Sequence, residues 1–276
     1  MGTSPRQLLL EYGLEPHKGL GQNFLLDRGA LSRIVAAADV QPGDRVLEIG
    51  PGLGILTRAL AEAGASVVAV ELDRGLVELL HEQLAGLEQA RIVHQDILKA
   101  DIGQLMGDAP YKVVANLPYN ITSAALRHAL EAKPRPSLLV VMVQKEVAQR
   151  IVAAPGEMSL LAISVQFYGR PRIVAHVPAG AFYPRPKVDS AILRIETFPA
   201  LDIPEDAIPR FFALARAGFA QRRKQLRNTL SKGLGLSTDV VEEGLRRCDI
   251  DPRRRAETLS LIEWKRLLQA LPDSSA

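Results

Sequence analysis

Between Arg45 and Ile195, short apolar runs of strand length alternate with segments that have helical periodicity. This alternation predicts an α/β fold with a doubly wound, mostly parallel sheet and helices on both of its faces. The predicted strands are Arg45–Ile49, Ser66–Val70, Arg91–His94, Lys112–Val114, Leu138–Val143, Arg172–Val177 and Ser190–Ile195. The predicted helices between them are Ile55–Ala63, Leu76–Ala85, Val147–Ala153 and Leu160–Tyr168, the last of which is also compatible with a strand. Folds of this kind bind ligands at the C-terminal ends of their strands.

The pattern changes near Thr197, where three prolines follow within a short segment. Beyond that segment no strand pattern remains, and the spacing of apolar residues is helical. We therefore predict a sheet domain over residues 1–199 and a small all-helical domain over residues 203–276. The helices predicted in the second domain are Ile208–Ala217, Phe219–Lys232, Asp239–Arg247 and Leu261–Leu271.

The charge of the chain is nearly balanced, but the basic excess lies at one end. From Leu201 onward there are 14 Lys and Arg against 11 Asp and Glu, which accounts for the whole net charge of +3. A local positive field suits a polyanionic partner. A single cysteine, Cys248, excludes a disulfide framework, and the longest strongly apolar run, Leu138–Val143, is too short to span a membrane. We expect a cytoplasmic protein that does not contact a membrane.

The first predicted strand leads into a glycine-rich turn, Glu48-Ile-Gly-Pro-Gly-Leu-Gly54. Gly50 and Gly52 let the backbone turn sharply and approach a ligand closely. The turn departs from the dinucleotide pattern because Ile55 stands where the third glycine belongs, which argues against a nicotinamide cofactor. An acid just before the turn, Glu48, suits a cationic ligand such as S-adenosylmethionine.

Two further acids follow the next two strands. Glu71 ends the second strand, at the usual place for a carboxylate that binds both ribose hydroxyls. Asp96 follows the third strand, where it can accept a hydrogen bond from the adenine amino group of the cofactor. Three acids at successive strand ends beside a glycine turn indicate one pocket for S-adenosylmethionine. No metal is expected in this chemistry.

The fourth predicted strand leads into the tetrapeptide Asn116-Leu117-Pro118-Tyr119. An adenine amino nitrogen is a weak nucleophile, and acceptors for both of its N–H groups would help it to react. Asn116 offers a side-chain oxygen, and the Leu117 carbonyl is directed by Pro118, which keeps the preceding residue extended. Tyr119 offers a flat face for base stacking. The motif predicts methylation of adenine at its exocyclic amino group.

A second aromatic residue, Phe182, lies in a proline-rich loop before the last strand. We predict that it contacts the other face of the target base. Without the tetrapeptide, a core aromatic in a proline turn would be the preferred interpretation. A basic cluster follows Phe219 at a predicted helix start, and a second basic run covers residues 253–255. The predicted RNA-contacting residues are Arg222, Arg223, Lys224 and Arg227.

Together these segments resemble the ribosomal RNA adenine dimethyltransferases, the kasugamycin-sensitivity group that modifies small-subunit rRNA. The matching segments are Gly21-Gln-Asn-Phe-Leu25, Glu48-Ile-Gly-Pro-Gly52, Val70-Glu-Leu-Asp73, Gln95-Asp96, Asn116-Leu-Pro-Tyr-Asn120, Gln144-Lys-Glu146, Phe182-Tyr-Pro-Arg-Pro-Lys-Val-Asp-Ser190, and Gln221-Arg-Arg-Lys224 with Arg227-Asn228. The resemblance implies a Rossmann-like class I methyltransferase fold. It also implies that Asn23 and Leu25 fold over the cofactor, with Gly50, Glu71, Asp96 and Asn116 as further contacts.

The same resemblance implies N6-dimethylation of two adjacent adenosines in the 3′-terminal loop of 16S rRNA. It further implies a partner in the assembling small subunit and a role in subunit maturation. We expect the chain to act as a monomer. Two alternatives remain open from the residues alone. The chain could be a DNA adenine methyltransferase, which shares the catalytic chemistry, or a non-catalytic ribosome-assembly factor with the same fold.

Overall fold

The computed structural model describes residues 5–272, and its centre is a seven-stranded sheet. The strand order is β4-β3-β2-β5-β6-β9-β7, in which the first five strands are parallel to each other and β9 runs antiparallel to β6. The strands are β2 (Arg45–Ile49), β3 (Ser66–Glu71), β4 (Ala90–His94), β5 (Lys112–Asn116), β6 (Leu138–Gln144), β7 (Gly169–Val177) and β9 (Ser190–Thr197). The doubly wound, mostly parallel sheet predicted from the sequence is confirmed.

The central strand β6 shows why the sheet needs helices on both sides. Its first six residues are all buried, and successive side chains of a strand point to opposite faces. Val140 and Met142 on one face join a core with Ile34 and Leu60, which come from two helices. Leu139 and Val141, on the other face, are fully buried as well. A continuous apolar run is therefore the signature of this two-sided burial.

The helices of this part of the chain are α1 (Pro5–Glu11), α2 (Arg28–Ala38), α3 (Ile55–Glu62), α4 (Arg74–Gln83), α5 (Ile102–Met106), α6 (Thr122–Glu131) and α7 (Lys145–Ile151). Helices α1, α2, α5 and α6 were absent from the sequence-based assignment. Asp27 begins α2, because its side chain accepts a hydrogen bond from Ala30 N, and Asp73 begins α4 in the same way. This cap places the start of α4 two residues earlier than predicted.

A two-stranded sheet joins the N-terminal segment to the loop before β9. Strand β1 (Phe24–Leu25) pairs antiparallel with β8 (Phe182–Tyr183), so that Leu25 lies opposite Phe182. The backbone N–H of Leu26 also donates to the Ala181 carbonyl at 2.7 Å. This pairing, which the sequence analysis did not predict, ties the segment before α2 to a region about 160 residues further along the chain.

The chain forms two compact units. The first contains residues 5–148 and 170–197 of the described chain, and the second contains residues 149–169 and 198–272. Residues 149–169, which the sequence-based division leaves with the sheet, belong to the second unit, since Phe167 stacks on Phe211 at 4.6 Å between ring centroids. Residues 273–276 of the predicted helical domain lie outside the described residues.

The second unit is helical. It contains α8 (Leu160–Gln166), α9 (Ile208–Phe219), α10 (Leu226–Leu234), α11 (Thr238–Arg247) and α12 (Leu261–Ala270). Trp264 of α12 is fully buried and stacks on Phe219 with 5.6 Å between ring centroids. Within residues 5–272, no helix has the length and apolar character needed to cross a bilayer.

The predicted single helix over Phe219–Lys232 is wrong. Helix α9 ends at Phe219, residues 220–225 form a loop, and α10 begins at Leu226. The physical reason is that the first two N–H groups of α10 donate hydrogen bonds to carbonyls of the segment 252–254, and not to the preceding turn of a continuous helix. Leu226 N donates to the Arg254 carbonyl at 2.7 Å and Arg227 N donates to the Pro252 carbonyl at 3.3 Å.

We predict that Gly218→Ala destabilises the helical unit, although alanine is intrinsically the better helix former. A Cβ at Gly218 would overlap the buried ring of Trp264 and lie 3.3 Å from Leu226. Such overpacking costs about 1–3 kcal/mol. The measurement is calorimetric unfolding, with Gly180→Ala as the control because a Cβ there meets nothing within 4 Å. Equal melting temperatures for the two variants would contradict the prediction.

Candidate active site

A cavity of about 330 Å³ opens at the C-terminal ends of β2, β3, β4 and β5. Its wall is built from the turn after β2, the ends of the next three strands, and the N-terminal segment that precedes α2. These groups contribute, among others, Gly21, Gln22, Asn23, Leu25, Glu48, Gly50, Gly52, Glu71, Asp96, Asn116, Leu117, Pro118, Tyr119 and Asn120. The structure thus brings together all the predicted cofactor residues and the whole predicted tetrapeptide.

The glycine turn gives the cavity its floor. Gly50 and Gly52 both have positive φ, at 67° and 57°, which a residue with a side chain rarely adopts. Gly50 N donates to the Val70 carbonyl at 2.9 Å, which holds the turn against β3. A Cβ at Gly52 would lie only 3.0 Å from the ring of Phe24. The glycine therefore leaves room for that ring as well as for a ligand.

Glu48 is a buried carboxyl group with one oxygen that lacks a hydrogen-bond partner among the described residues. It is 1% exposed, and its Oε2 has no hydrogen-bond partner within the described residues. Burial raises the pKa of Glu48 to about 8, the nearby Thr57 hydroxyl lowers it by less, and the charge of Glu71 raises it further. A buried carboxyl with an unused oxygen at a cavity wall favours a cationic or hydrogen-donating ligand.

Glu71 is held in place by backbone groups. Its Oε1 accepts hydrogen bonds from Leu72 N at 2.8 Å and Asp73 N at 2.9 Å, and its Oε2 accepts one from Gly52 N at 3.3 Å. Burial raises the pKa of this carboxyl, and the three backbone hydrogen bonds lower it by less. The arrangement presents a rigid carboxylate beside the glycine turn.

Asp96 lies one strand further along the edge. Its Oδ1 accepts from Leu98 N at 3.0 Å, and its Oδ2 lies 3.7 Å from Lys99 Nζ on a solvent-exposed side chain. Gln95 N donates to the Glu71 carbonyl at 2.9 Å, so the loops after β3 and β4 are joined directly. The two carboxyl-bearing loops therefore form one continuous wall.

Asn116, the last residue of β5, makes a hydrogen bond that fixes its amide. Its Nδ2 donates to the Asn23 carbonyl at 3.0 Å. Its Oδ1 receives no hydrogen bond from residues 5–272, which leaves an acceptor at the cavity wall. Leu117 is anchored by its N–H, which donates to the Met142 carbonyl at 3.1 Å. The Leu117 carbonyl likewise has no internal donor among the described groups.

The two predicted aromatic residues occupy different places. Tyr119 is half-buried at the cavity wall, and its hydroxyl lies 2.6 Å from the Ser190 hydroxyl. Phe182 is only 3% exposed, packs in the core that includes Leu25 and Ala181, and does not line the cavity. Its stacking on a target base stays a prediction, whereas its packing against β1 is a feature of the structure.

The N-terminal segment before β1 forms one side of the cavity. Two side-chain amides that the sequence analysis did not single out hold it there, one from the segment itself and one from the loop after β5. Gln22 Nε2 donates to Asp73 Oδ2 at 3.0 Å, and Asn120 Nδ2 donates to the Gly19 carbonyl at 3.0 Å. Gly21 packs against Asn120 so closely that a Cβ would lie 2.6 Å from its Oδ1. The only sequence signals for these contacts were the two matching segments, 21–25 and 116–120, to which Gln22 and Asn120 belong.

The predicted RNA-contacting residues lie in the second unit. Arg222, Arg223 and Lys224 are exposed on the loop between α9 and α10. Arg227 is half-buried and pairs with Glu242 at 2.7 Å between Nη1 and Oε1. Part of its charge is therefore already neutralised inside the protein.

The second basic run lies next to this loop, because Leu226 N donates to the Arg254 carbonyl. Its arginines are partly paired: Arg253 contacts Asp251 at 3.1 Å, and Arg254 forms an ion pair with Glu263. The loop residues therefore carry the less compensated charge of this surface.

Comparison with known proteins gives one consistent result. A family model described as ribosomal RNA adenine dimethylase matches residues 13–270. The chain is 53% identical to ribosomal RNA small subunit methyltransferase A of Dehalococcoides mccartyi over 264 residues, which is 95% of this chain and 90% of that protein. It is 44% identical to the protein of the same name from Moorella thermoacetica, covering 96% and 95% of the two chains.

Solved structures agree with this result. The crystal structure of 23S rRNA methyltransferase ErmE is 30% identical, with a TM-score of 0.72 over 90% of this chain and 99% of that one. The structure of a dimethyladenosine transferase from Plasmodium falciparum has a TM-score of 0.77 at 24% identity, covering 89% and 96% of the two chains. The second likeness is one of fold.

We predict that Glu48→Gln weakens the pH dependence of stability in the ligand-free protein. The pKa of Glu48 is about 8 in the folded chain against 4.5 normally, so the unfolded chain loses this proton first. The free energy of unfolding of the parent should then fall as pH rises from about 4.5 to 8. In the variant the fall should be smaller, and some should remain because the pKa of Glu71 is also raised.

The measurement is urea unfolding at several pH values across this window. Above pH ~8 the variant should be the more stable protein, since its side chain is never forced to ionise in the core. Parallel pH curves for parent and variant would show that Glu48 titrates normally.

Proposed function

Because this chain belongs to the ribosomal RNA adenine dimethylase family, we propose that it transfers methyl groups from S-adenosylmethionine to the N6 amino groups of adenosines in small-subunit rRNA. The structural observation that carries the proposal is the amide of Asn116, which is anchored through Nδ2 and leaves Oδ1 as an acceptor. This acceptor lies at the wall of a cavity whose remaining groups suit the methyl donor.

The cavity fits the donor at each of its ends. The turn of Gly50 and Gly52 provides a floor that carries no side chains, and Glu71 offers a fixed carboxylate for the ribose hydroxyls. Asp96 would accept a hydrogen bond from the adenine amino group of the donor. Asn23 and Leu25 would cover the donor from the N-terminal segment.

Glu48 adds a charge argument. A buried oxygen without a hydrogen-bond partner is energetically unfavourable, and a cationic ligand would offset that cost. The donor carries a positive sulfonium and an ammonium group, whereas its demethylated product has lost the sulfonium charge. We therefore expect the pKa of Glu48 to fall when the donor binds.

Transfer of the methyl group needs little chemical help from the protein. S-adenosylmethionine supplies a methyl on cationic sulfur; as the amino nitrogen forms the new N–C bond, the S–C electron pair stays on sulfur and the amine releases a proton to water. The chain's task is to bring the amine into line and to orient its lone pair.

Asn116 and Leu117 perform that task. The Asn116 Oδ1 and the Leu117 carbonyl can accept hydrogen bonds from the two N–H groups of one amino group, which reduces the conjugation of the nitrogen lone pair with the ring. Tyr119 offers its ring to the base. The backbone anchors of Asn116 and Leu117 keep both acceptors fixed before the base arrives.

We extend the proposal to two adjacent adenosines in the 3′-terminal loop of 16S rRNA, in a small subunit that is still assembling. We also propose that the chain acts as a monomer in the cytoplasm and contributes to subunit maturation. Family membership supports RNA as the substrate over duplex DNA. The intact pair of acceptors supports an enzyme over a non-catalytic assembly factor with the same fold.

The exposed basic loop supplies the RNA affinity in this proposal. Arg222, Arg223 and Lys224 would contact phosphates, which provide binding energy without reading sequence. The target adenine would leave its stack to enter the cavity. Arg227 would hold the loop in shape through Glu242 and contribute less to the phosphate contacts.

We predict that Asn116→Ala abolishes methylation, because the amine loses one of its two acceptors and the N-terminal segment loses its anchor. Removing one preorganised hydrogen-bond partner at such a site costs roughly 10²–10³ in rate. The assay is mass spectrometry of adenosines in unmethylated small subunits after incubation with enzyme and donor. Gln104→Ala, an exposed amide outside the cavity, is the control. Parental methylation by Asn116→Ala would refute the proposed function.

We predict that Arg222→Glu with Arg223→Glu weakens rRNA binding by about 10-fold or more at moderate salt and flattens its salt dependence. Affinity for S-adenosylmethionine should stay at the parental value. The measurements are filter binding for RNA and calorimetry for the donor. The matched control reverses Arg74 and Arg127, which are exposed and already paired within their own helices. Equal losses in both double variants would show a general charge effect instead of a binding surface.

A further inference from the structure

Ser190 is a polar residue at a fully buried position of the sheet. It begins β9 and lies opposite Gln144 in the antiparallel register with β6. The residues that follow it, Ala191 and Ile192, are also fully buried and apolar. A buried hydroxyl without a partner costs about 1–3 kcal/mol. The identity of its partner therefore decides why a serine stands here.

The partner is Tyr119 of the predicted catalytic motif. The two hydroxyl oxygens are 2.6 Å apart, at the short end of the normal range for such a bond. Burial raises the pKa of Tyr119, the hydrogen bond to Ser190 lowers it by less, and the neighbouring Asp189 raises it further, so the phenol stays neutral and keeps its proton. The bond therefore persists across the physiological pH range.

The Tyr119 side chain is thereby held at both ends. At its base, the Pro118 carbonyl accepts hydrogen bonds from Ile121 N at 3.2 Å and from Thr122 Oγ1 at 3.1 Å, which close the turn. At its tip, Ser190 holds the hydroxyl. A tyrosine at a cavity wall would otherwise rotate about two side-chain bonds.

We propose that Ser190 is a positioning residue that fixes the plane of the Tyr119 ring for the incoming adenine. The inference rests on the proposed function and deepens it. A planar base can slide and rotate on an aromatic face, yet its amino group must reach Asn116 Oδ1 and the donor methyl together. A ring that cannot rotate gives the base one plane on which to settle.

The Ser190 brace, which is the hydrogen bond between the Ser190 and Tyr119 hydroxyls, is rigid because Ser190 belongs to a strand of the sheet. Ser190 begins an inner strand of the sheet, which lies between β6 and β7 and is paired residue by residue with β6 from Ser190 to Glu196. Lys145 N donates to the Asp189 carbonyl at 2.9 Å, and Asp189 Oδ1 accepts from Ala179 N at 3.0 Å. The residue before the brace is thus held by both its backbone and its side chain.

Removing either hydroxyl should release the ring without removing its stacking surface. For Ser190→Ala and Tyr119→Phe we expect kcat to fall on the order of 10-fold, because fewer bound bases are in line. KM for unmethylated small subunits should stay within about 2-fold of the parental value, since the stacking area is retained. Affinity for S-adenosylmethionine should not change.

The decisive experiment is a double-mutant cycle. If the two hydroxyls act through one bond, Ser190→Ala with Tyr119→Phe should lose no more kcat than either single variant. Tyr111→Phe is the matched control, because it removes another buried phenol bond, to the Pro134 carbonyl at 3.0 Å, at the other end of β5. That control should keep the parental kcat.

A spectroscopic readout separates positioning from folding. With 2-aminopurine in place of the target adenosine, the parent and Tyr111→Phe should give one quenched, stacked signal. Ser190→Ala and Tyr119→Phe should give a brighter and more heterogeneous one. If Ser190→Ala fails to fold, Tyr119→Phe decides alone, since it leaves the buried strand unchanged.

The proposal would be overturned if the double variant lost kcat by the product of the two single losses, or if Tyr119→Phe kept the parental kcat. Asn116→Ala in the same assay keeps the two ideas apart. If Asn116→Ala is inactive while Tyr119→Phe keeps the parental kcat, the Ser190 brace is rejected and the proposed function is retained. Full methylation by Asn116→Ala would reject the proposed function itself.

Discussion

The hydrogen bond from Asn116 Nδ2 to the Asn23 carbonyl organises this molecule. It joins the end of a central strand to the N-terminal segment, 93 residues away, and so closes one side of the cavity. It also decides which atom of the amide is free. An asparagine can present either a donor or an acceptor, and this bond commits the donor to the backbone. The acceptor that remains is the atom that the proposed function assigns to the target amine.

Electrostatics at the cavity follow from burial rather than from the number of acids. Burial raises the pKa of both Glu48 and Glu71, yet only Glu71 has backbone donors for both of its oxygens. Glu71 is therefore held in a fixed orientation, while Glu48 has an oxygen without a hydrogen-bond partner among the described residues. In the proposed function, this difference assigns Glu71 to the neutral sugar end of the donor and Glu48 to its cationic end. Two identical functional groups thus differ in character because their surroundings differ.

The sequence carries much of this structure, and the missing parts share a cause. Strand order along the chain, the glycine turn and the acids at strand ends depend on local patterns, and the fold predicted from them is confirmed. The pairing of Leu25 with Phe182 and the break after Phe219 depend on contacts between distant segments. No periodicity encodes those contacts. For the same reason the sequence could nominate Phe182 as a base contact while the β1–β8 pairing buries it in the core.

The contact between Gly52 and the ring of Phe24 limits how the cavity can be redesigned. Gly52 leaves room for the Phe24 ring of the N-terminal segment. A larger residue in this turn would therefore displace that segment as well as change the cavity floor. The wall formed by Ile55 and Leu72 is different, because these side chains are 38% and 49% exposed. Donor analogues with longer alkyl groups would have to find their space on that open side. An effort to convert this methyl transfer into the transfer of larger tags should therefore begin with the exposed rim and leave the turn untouched.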